Sequence, residues 1–229
     1  MARYFLARHV YFCGRGDVWV FLDLRRDTYW MIRGAQAASF TGWLAAGMVK
    51  DRDTPALPDC LRDLLSTDLL TTDEPMGKPI MPTDSEPPTV HLLDEAGEPI
   101  KHVRVRELVQ FLLACALTTF RLRFRHLERI LARCGDRKAR RIREPLPVER
   151  ARELVVSFRR LRRLFPRNYL CLFDSLALLE FLARNGVFPD LVFAVAPDPW
   201  SAHCWIQAGE IIFNEGVEES RDFLPIMVV

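Results

Sequence analysis

The sequence predicts an α+β protein of two modules, on three observations. Short segments rich in aromatic and β-branched residues open the chain, helical periodicities occupy its middle, and an apolar helix followed by short strands ends it. The 229 residues are 49% hydrophobic and 27% charged, a composition typical of a folded chain and not of a disordered one. At roughly 150 residues per domain, this length favours two small domains.

A proline-rich stretch separates the two modules. Residues 71–89, TTDEPMGKPIMPTDSEPPT, contain five prolines, and each proline lacks a backbone donor and disfavours helix in the residue before it. We therefore predict a linker here, with domains at 1–83 and 84–229. The charge changes along the chain as well, because residues 51–99 are acidic and residues 121–163 are strongly basic, although the formal net charge is only +2.

The first module begins with three predicted strands. They are, in order, RYFLARHVYFC (3–13), DVWVFLDL (17–24) and TYWMI (28–32). Turn-forming residues separate them, which predicts an antiparallel meander. Phe40, Trp43 and Leu44 then follow helical spacing, and LPDCLRDLLSTDLL (57–70) predicts a second helix with leucines on one side. The module is therefore three strands followed by helices.

The second module is predicted to be mainly helical, with strands at its end. The predicted elements are a small hairpin around 95–97, helices at 103–119, at 123–139 and from Pro147, an apolar helix over 171–184, and the strands LVFAV (191–195), AHCWIQA (202–208) and IIFNE (211–215). The helix from Pro147 is amphipathic, with an arginine-rich outer face. Asn185-Gly186 is a helix-ending signal, and Gly209-Glu210 predicts a tight turn between the last two strands.

Several positions in the second module carry candidate chemistry. Cys171 stands at the predicted start of its helix, where unpaired backbone N–H groups and the helix dipole favour a thiolate. His203 lies on the second strand, and Asn214 and Glu215 end the third. Papain-like and transglutaminase-like thiol enzymes use this order, in which a base takes the thiol proton and a third group fixes the tautomer of the base. Because side chains alternate along a strand, Cys204 is expected to face away from the site and to be dispensable for chemistry.

Two sequence blocks surround the candidate cysteine and histidine. Cys171 to Leu178 follow the pattern C-L-x-x-S-L-A-L, and Ala202 to Trp205 follow A-H-x-W. With these blocks, residues 162–216 resemble the core of the lasso-peptide biosynthesis B proteins, transglutaminase-like cysteine proteases that remove the leader from a ribosomal precursor. That family usually has Asp after the Asn of a third block, where this chain has Glu215. Either Glu215 or Asn214 orients the imidazole, and we favour Glu215.

The first module carries a resemblance of its own. The segment DVWVFLDLRRDTYWMI (17–32) is similar to the leader-peptide recognition element of modified-peptide pathways, a winged-helix-like fold of three strands and three helices. A three-stranded meander leaves an edge with unpaired N–H and C=O groups, to which an extended peptide can add as a further strand. The predicted edge is one strand, with the candidate leader-binding residues Thr28, Tyr29, Trp30, Met31 and Ile32.

The resemblance implies a cytoplasmic leader peptidase, which is a cysteine protease that needs no metal and no cofactor. Its implied partners are the leader of the precursor peptide and an ATP-dependent macrolactam synthetase that closes the ring. Two alternatives stay open. One is an acyl transferase of the transglutaminase type, and the other is a non-catalytic peptide-binding adaptor, which Glu215 in place of Asp allows.

Other classes of protein are disfavoured by what the sequence contains. The six cysteines form no C-x-x-C pair and have no histidine at zinc-finger spacing. No apolar run approaches the ~20 residues of a membrane span, the first residues lack the pattern of a signal peptide, and there is no glycine-rich phosphate loop. The arginine surplus comes without a nucleic-acid-binding motif. We therefore expect neither a metal nor a membrane or nucleic-acid partner.

Overall fold

The computed structural model of the protein describes residues 3–49, 57–93, 102–139 and 147–229. The fold is α+β, as predicted. The chain forms two compact units. The first comprises Met1–Asp84, Pro197–Trp200 and Leu224–Met227, and the second comprises Ser85–Ala196, Ser201–Phe223 and Val228–Val229.

A three-stranded antiparallel meander dominates the first unit. The elements up to residue 84 are, in chain order, β1 (Phe5–Ala7), β2 (Val10–Arg15), β3 (Val18–Asp23), β4 (Thr28–Arg33), α1 (Gly34–Val49), α2 (Asp63–Ser66), β5 (Leu70–Thr71) and β6 (Gly77–Lys78), with 3₁₀ turns at Asp59–Leu61 and Glu74–Met76. The predicted meander is β2-β3-β4, in which Val20 of the central strand lies opposite Cys13 and Met31. Phe40 of α1 packs on this sheet against Phe12 and Phe21.

β1 is a strand of its own, whereas the sequence predicted one strand over 3–13. The chain turns at Arg8-His9, and β1 then lies between β5 and β6 in a second sheet. Nε2 of the buried His9 lies 3.6 Å from a carboxylate oxygen of the buried Asp23. The hydropathy pattern of the sequence does not predict this contact between His9 and Asp23. Because β6 falls inside the predicted linker, the first part of that stretch belongs to a sheet.

The second predicted helix is shorter than expected. Instead of a helix over 57–70, the structure has one 3₁₀ turn and the four-residue α2. The hydroxyls of Ser66 and Thr67 donate to the carbonyl of Asp63 at 3.0 and 2.6 Å, and Asp68 adopts a left-handed φ of 59°. Side-chain bonds to the backbone compete with helix extension, and a left-handed residue ends it.

Each predicted helix of the second module is present, but the first extends to residue 124 and the second begins at residue 127, where 119 and 123 were predicted. The elements after residue 84 are β7 (Val90–His91), α3 (Val105–Phe124), α4 (Leu127–Ala139), α5 (Val148–Arg163), α6 (Cys171–Arg184), β8 (Asp190–Pro197), β9 (Trp200–Ala208), β10 (Ile211–Ile212), α7 (Val217–Arg221) and β11 (Leu224–Val228). The bounds of α6 are the predicted ones, whereas α7 and β11 were not predicted. The hairpin expected around 95–97 lies outside the described residues. None of the helices within the described ranges is long and apolar enough to cross a membrane.

The strands after α6 belong to a sheet of order β11-β8-β9-β10-β7. β9 and β10 pair antiparallel through the predicted tight turn, where Gly209 adopts a φ of 55° that glycine tolerates best. α6 packs against α3 and α5, and the hydroxyl of Ser175 in α6 donates to the backbone oxygen of Cys204 in β9 at 3.2 Å. This bond joins the first turns of α6 to the sheet.

Candidate active site

Cys171 is the first residue of α6. Leu170, which precedes it, is extended, with φ −139° and ψ 117°, and its N–H donates to Oδ2 of Asp174 at 2.7 Å. This bond fixes the residue at which the helix begins. The thiol of Cys171 therefore stands where the helix has unpaired N–H groups and the positive end of its dipole.

The sulfur of Cys171 has several hydrogen-bond partners. Hydrogen bonds from the Cys204 thiol and from the His203 ring lower the pKa of Cys171 to about 4, although burial opposes the shift. The backbone N–H of Leu172 donates to the same sulfur. All three contacts stabilise the charged form, so the thiolate is the form that this environment favours.

His203 connects the sulfur to Glu215. Its Nε2 is hydrogen-bonded to Oε2 of Glu215, which leaves Nδ1 for the sulfur. The bond with Cys171, followed by the bond with Glu215, raises the pKa of His203 to about 9. The bond with His203 in turn lowers the pKa of the Glu215 carboxyl. Between about pH 4 and about pH 9 the thiolate and the imidazolium therefore coexist as an ion pair.

Packing restricts the movement of this pair. The His203 ring lies 5.3 Å from the Phe223 ring and 6.1 Å from the Trp205 ring, measured between centroids. The N–H of Gly216 donates to Oε1 of Glu215 at 3.2 Å. The side chains of His203 and Glu215 are only 20% and 22% exposed, so solvent screens their interaction less than it would at the surface.

Asn214 makes a different set of contacts. Its Nδ2 donates to the Ser175 hydroxyl at 3.0 Å, and its Oδ1 accepts the N–H of Ile206 at 2.7 Å. The structure thus places Glu215 in contact with His203. It places Asn214 in contact with Ser175 of α6 and Ile206 of β9. Both residues lie beyond β10, which ends at Ile212 and is shorter than the strand predicted over 211–215, so strict alternation does not apply to them.

The position expected for Cys204 is wrong. Its thiol donates a hydrogen bond to the sulfur of Cys171. Ionisation of Cys204 would break that bond and leave a charge in a buried position, so the pKa of Cys204 is raised and the thiol stays a protonated donor. Side-chain alternation separates His203 from Cys204 on β9, but it does not limit what a side chain from the helix can reach. Because Ser175 holds α6 against β9 at Cys204, the sulfur of Cys171 contacts both neighbours.

Arg162 and Asp174 were not singled out in the sequence, yet they hold the loop before Cys171. Arg162 forms an ion pair with Asp174 and donates to the carbonyls of Arg167 and Asn168, each at 3.0 Å. Its side chain is largely buried, which corrects the prediction of a solvated arginine face on α5 at this position. The buried acid at the fourth residue of α6 is the signal that could have revealed the pair.

The predicted leader-binding strand lies in the first unit. β4 pairs with β3 on one side, and no other strand in the described part of the chain pairs with its outer edge. Two of the five predicted residues are exposed, Thr28 and Trp30, and three are half-buried, Tyr29, Met31 and Ile32. The Tyr29 ring packs edge to face with Trp200 of the same unit, with centroids 5.2 Å apart. The outer edge offers mainly backbone groups.

An α+β fold that carries a cysteine at a helix start, a histidine on a following strand and an acid beyond the next one is the arrangement used for cysteine-based catalysis. The sequence model of the transglutaminase-like superfamily matches residues 114–228, half of the chain. The chain belongs to this superfamily, whose members include cysteine proteases and acyltransferases. No curated protein and no solved structure matches the chain significantly.

The residues that the structure describes include no group of three or more His, Cys, Asp or Glu side chains arranged to hold a metal ion. The polar groups around Cys171 are instead engaged with one another, since His203 bonds Glu215 and Asn214 bonds Ser175.

Proposed function

We propose that the protein is a cysteine protease that removes the leader from a ribosomally made lasso-peptide precursor. The observation that carries the proposal is the continuous contact from the Cys171 sulfur through His203 to Glu215. Membership of the transglutaminase-like superfamily supports thiol chemistry. The two blocks that resemble lasso-peptide B proteins, C-L-x-x-S-L-A-L and A-H-x-W, support the substrate class.

The first step forms an acyl-enzyme. The Cys171 thiolate attacks the carbonyl carbon of the scissile peptide bond, and the carbonyl oxygen becomes an oxyanion. The His203 imidazolium then donates its proton to the departing amine, so the C–N bond breaks as the thioester forms. Glu215 keeps the His203 ring oriented during this proton transfer, because Glu215 is hydrogen-bonded to the other ring nitrogen, Nε2.

The second step returns the enzyme to its starting state. His203, now neutral, takes a proton from a water molecule that attacks the thioester carbonyl. The leader leaves with a free carboxylate, the thiolate is restored and the imidazolium forms again. The negative charge on Glu215 stabilises that imidazolium.

The other part of the proposal concerns binding and partners. The open edge of β4 supports leader binding by strand addition, because its outer N–H and C=O groups match those of an extended peptide. Cleavage frees the amine of the core peptide, which is the group that macrolactam closure consumes. We therefore propose an ATP-dependent macrolactam synthetase as the partner that acts next, in the cytoplasm.

The test is cleavage of the precursor peptide encoded beside the gene, with and without the synthetase, followed by mass spectrometry of the products. A leader with a free carboxylate is expected, and Cys171→Ala should abolish its formation while leaving leader affinity unchanged. Cys134→Ala, which removes a half-buried thiol of α4, is the matched control and should still cut. A leader joined to an added amine would identify an acyl transferase, and leader binding without any product would identify an adaptor.

A further inference from the structure

A cavity of about 510 Å³ adjoins the candidate active site within the second unit. Its walls come from His91 of β7, the last turns of α5, the loop over 164–170, the first turns of α6 and the segment over 213–216. Glu215, which holds His203, lines this cavity, and so does Tyr169. A ligand in the cavity therefore lies next to Glu215, which contacts His203. Cys171 and His203 themselves do not line the cavity.

The walls carry more positive than negative charge. Four arginines line the cavity, together with two acids, Asp174 and Glu215. Both acids are already engaged, Asp174 with Arg162 and Glu215 with His203. Among the residues that the structure describes, no carboxylate lies within ion-pair distance of the two lining arginines Arg163 and Arg167. The charge of the walls that no described carboxylate neutralises is therefore positive.

The two arginines stand at its exposed rim and the apolar residues give it a floor. Arg163 ends α5 and is exposed. The Arg167 guanidinium lies 4.1 Å from the centroid of the Phe173 ring and donates to the Thr119 hydroxyl at 3.3 Å, which restricts its position. The floor consists of Val155, Phe158, Phe165, Leu178 and Phe213. A carboxylate on a short aliphatic stem fits this combination, because the stem packs on apolar surface while the charge meets the guanidinium groups.

We propose that this cavity binds an acidic side chain of the peptide substrate close to the scissile bond, and that Arg163 and Arg167 are the residues that select its charge. The inference rests on the proposed function, since it assigns a specificity pocket to the same peptide-cleaving site. It names a substrate feature, an aspartate or glutamate near the cut, that neither the superfamily nor the sequence blocks specify.

The experiment uses precursor peptides in which Glu or Gln is placed, one position at a time, at each of the four residues on either side of the cut. Glu and Gln have nearly the same shape, so their ratio of kcat/KM isolates the charge. At one position the Glu peptide should be cleaved about tenfold faster, the size expected for a charge-assisted hydrogen bond at a partly exposed site. In the double variant Arg163→Gln, Arg167→Gln this ratio should fall to about one.

The design contains its own controls. In the double variant the ratio of kcat/KM for the two peptides is the readout, because a loss of folded protein would lower cleavage of both peptides equally. Denaturant unfolding of the double variant shows separately that it is folded. Arg133→Gln, an exposed arginine of α4 outside the cavity, should keep the tenfold ratio. A ratio near one at every position in the wild type, or a ratio unchanged in the double variant, would overturn the inference while leaving the protease intact. Failure of the wild type to cut any peptide would instead overturn the proposed function, and the inference with it.

Discussion

The outer edge of β4 and the start of α6 are both candidate contact points for a peptide, yet they are built from different groups. β4 has one partner strand, and the side chains of Thr28 and Trp30 on it are exposed. At the start of α6 the reacting groups are half-buried, and each has several partners: Cys171 bonds Cys204, His203 and Leu172, and Glu215 bonds His203 and Gly216. The edge of β4 therefore offers backbone N–H and C=O groups to a peptide, whereas the start of α6 offers side chains that hydrogen bonds hold in position.

This difference sets how each region should respond to substitution. A strand edge binds through N–H and C=O groups, so changes of side chain leave most of its bonding capacity intact. A catalytic group acts through one atom in one position, so a change of charge there removes its role. Substitutions in the two regions test this contrast, with the largest loss of activity expected at Glu215 and the smallest at Cys204.

Glu215→Gln should lower kcat by about 10³- to 10⁴-fold, the size of the loss when the orienting acid of a serine-protease triad is replaced by its amide. The amide cannot stabilise the imidazolium of His203 that Glu215 contacts. Glu215→Asp, which restores the residue usual in the resembling family, should retain activity. Steady-state cleavage assays measure both.

Asn214→Ala is the neighbouring control for that prediction. It removes the bonds to Ser175 and Ile206, so it should lower the free energy of unfolding by about 1–3 kcal/mol and leave kcat largely unchanged below the melting temperature. The reverse ranking, with Asn214→Ala inactive and Glu215→Gln near wild type, would assign the orienting role to Asn214.

Arg162→Ala should destabilise the protein by about 3 kcal/mol, because it leaves the buried carboxylate of Asp174 without its ion pair. It should also lower cleavage, since the loop before Cys171 loses two carbonyl contacts. Denaturant unfolding gives the stability change. Arg152→Ala, on the same helix, removes a bond to the carbonyl of Leu92 and an ion pair with the exposed Glu149, and should cost less. Equal losses for the two variants would argue against a special role of the Arg162 pair.

Met31→Pro should weaken leader binding more than tenfold, because proline removes a backbone donor and distorts the edge strand. Met31→Ala and Trp30→Ala should weaken it only about twofold, since the backbone is unchanged. Calorimetric titration of the leader peptide into Cys171→Ala protein avoids cleavage during the measurement. If Trp30→Ala removed binding as fully as the proline, recognition would depend on side chains and the contrast between the two regions would fail.

Cys204→Ala should have the smallest effect on the maximal rate and a clear effect on pH dependence. The wild-type profile of kcat/KM should be bell-shaped. It falls below the pKa of Cys171, about 4, as the thiolate gains a proton, and above the pKa of His203, about 9, as the imidazolium loses one. Loss of the Cys204 donor should move the acid limb upward by about 1–2 pH units. Cys204→Ser, which keeps a donor, should move it less. An unchanged acid limb in both variants would show that Cys204 does not act on the thiolate.

The helix start at Cys171 could be predicted from local sequence, whereas the ion pair of Arg162 and the contact of Cys204 with Cys171 could not. The bounds of α6 follow from its apolar run and the ending signal at Asn185-Gly186, so Cys171 was placed correctly at a helix start. The ion pair of Arg162 with Asp174 joins two helices, and helical periodicity alone assigns every arginine of α5 outside the core to solvent. Alternation along a strand likewise says which face Cys204 occupies and nothing about what the helix brings to that face.

The ion pair of Cys171 and His203 is tested most directly by the rate at which iodoacetamide alkylates Cys171 as a function of pH, followed by mass spectrometry of the modified peptide. Only the thiolate reacts. The rate should already be at its plateau above about pH 5, one unit above the pKa of about 4, and in His203→Ala protein the plateau should begin at a higher pH. A wild-type rate that rises through a single titration near ~8.5, the value of a free thiol, would contradict the thiolate–imidazolium pair.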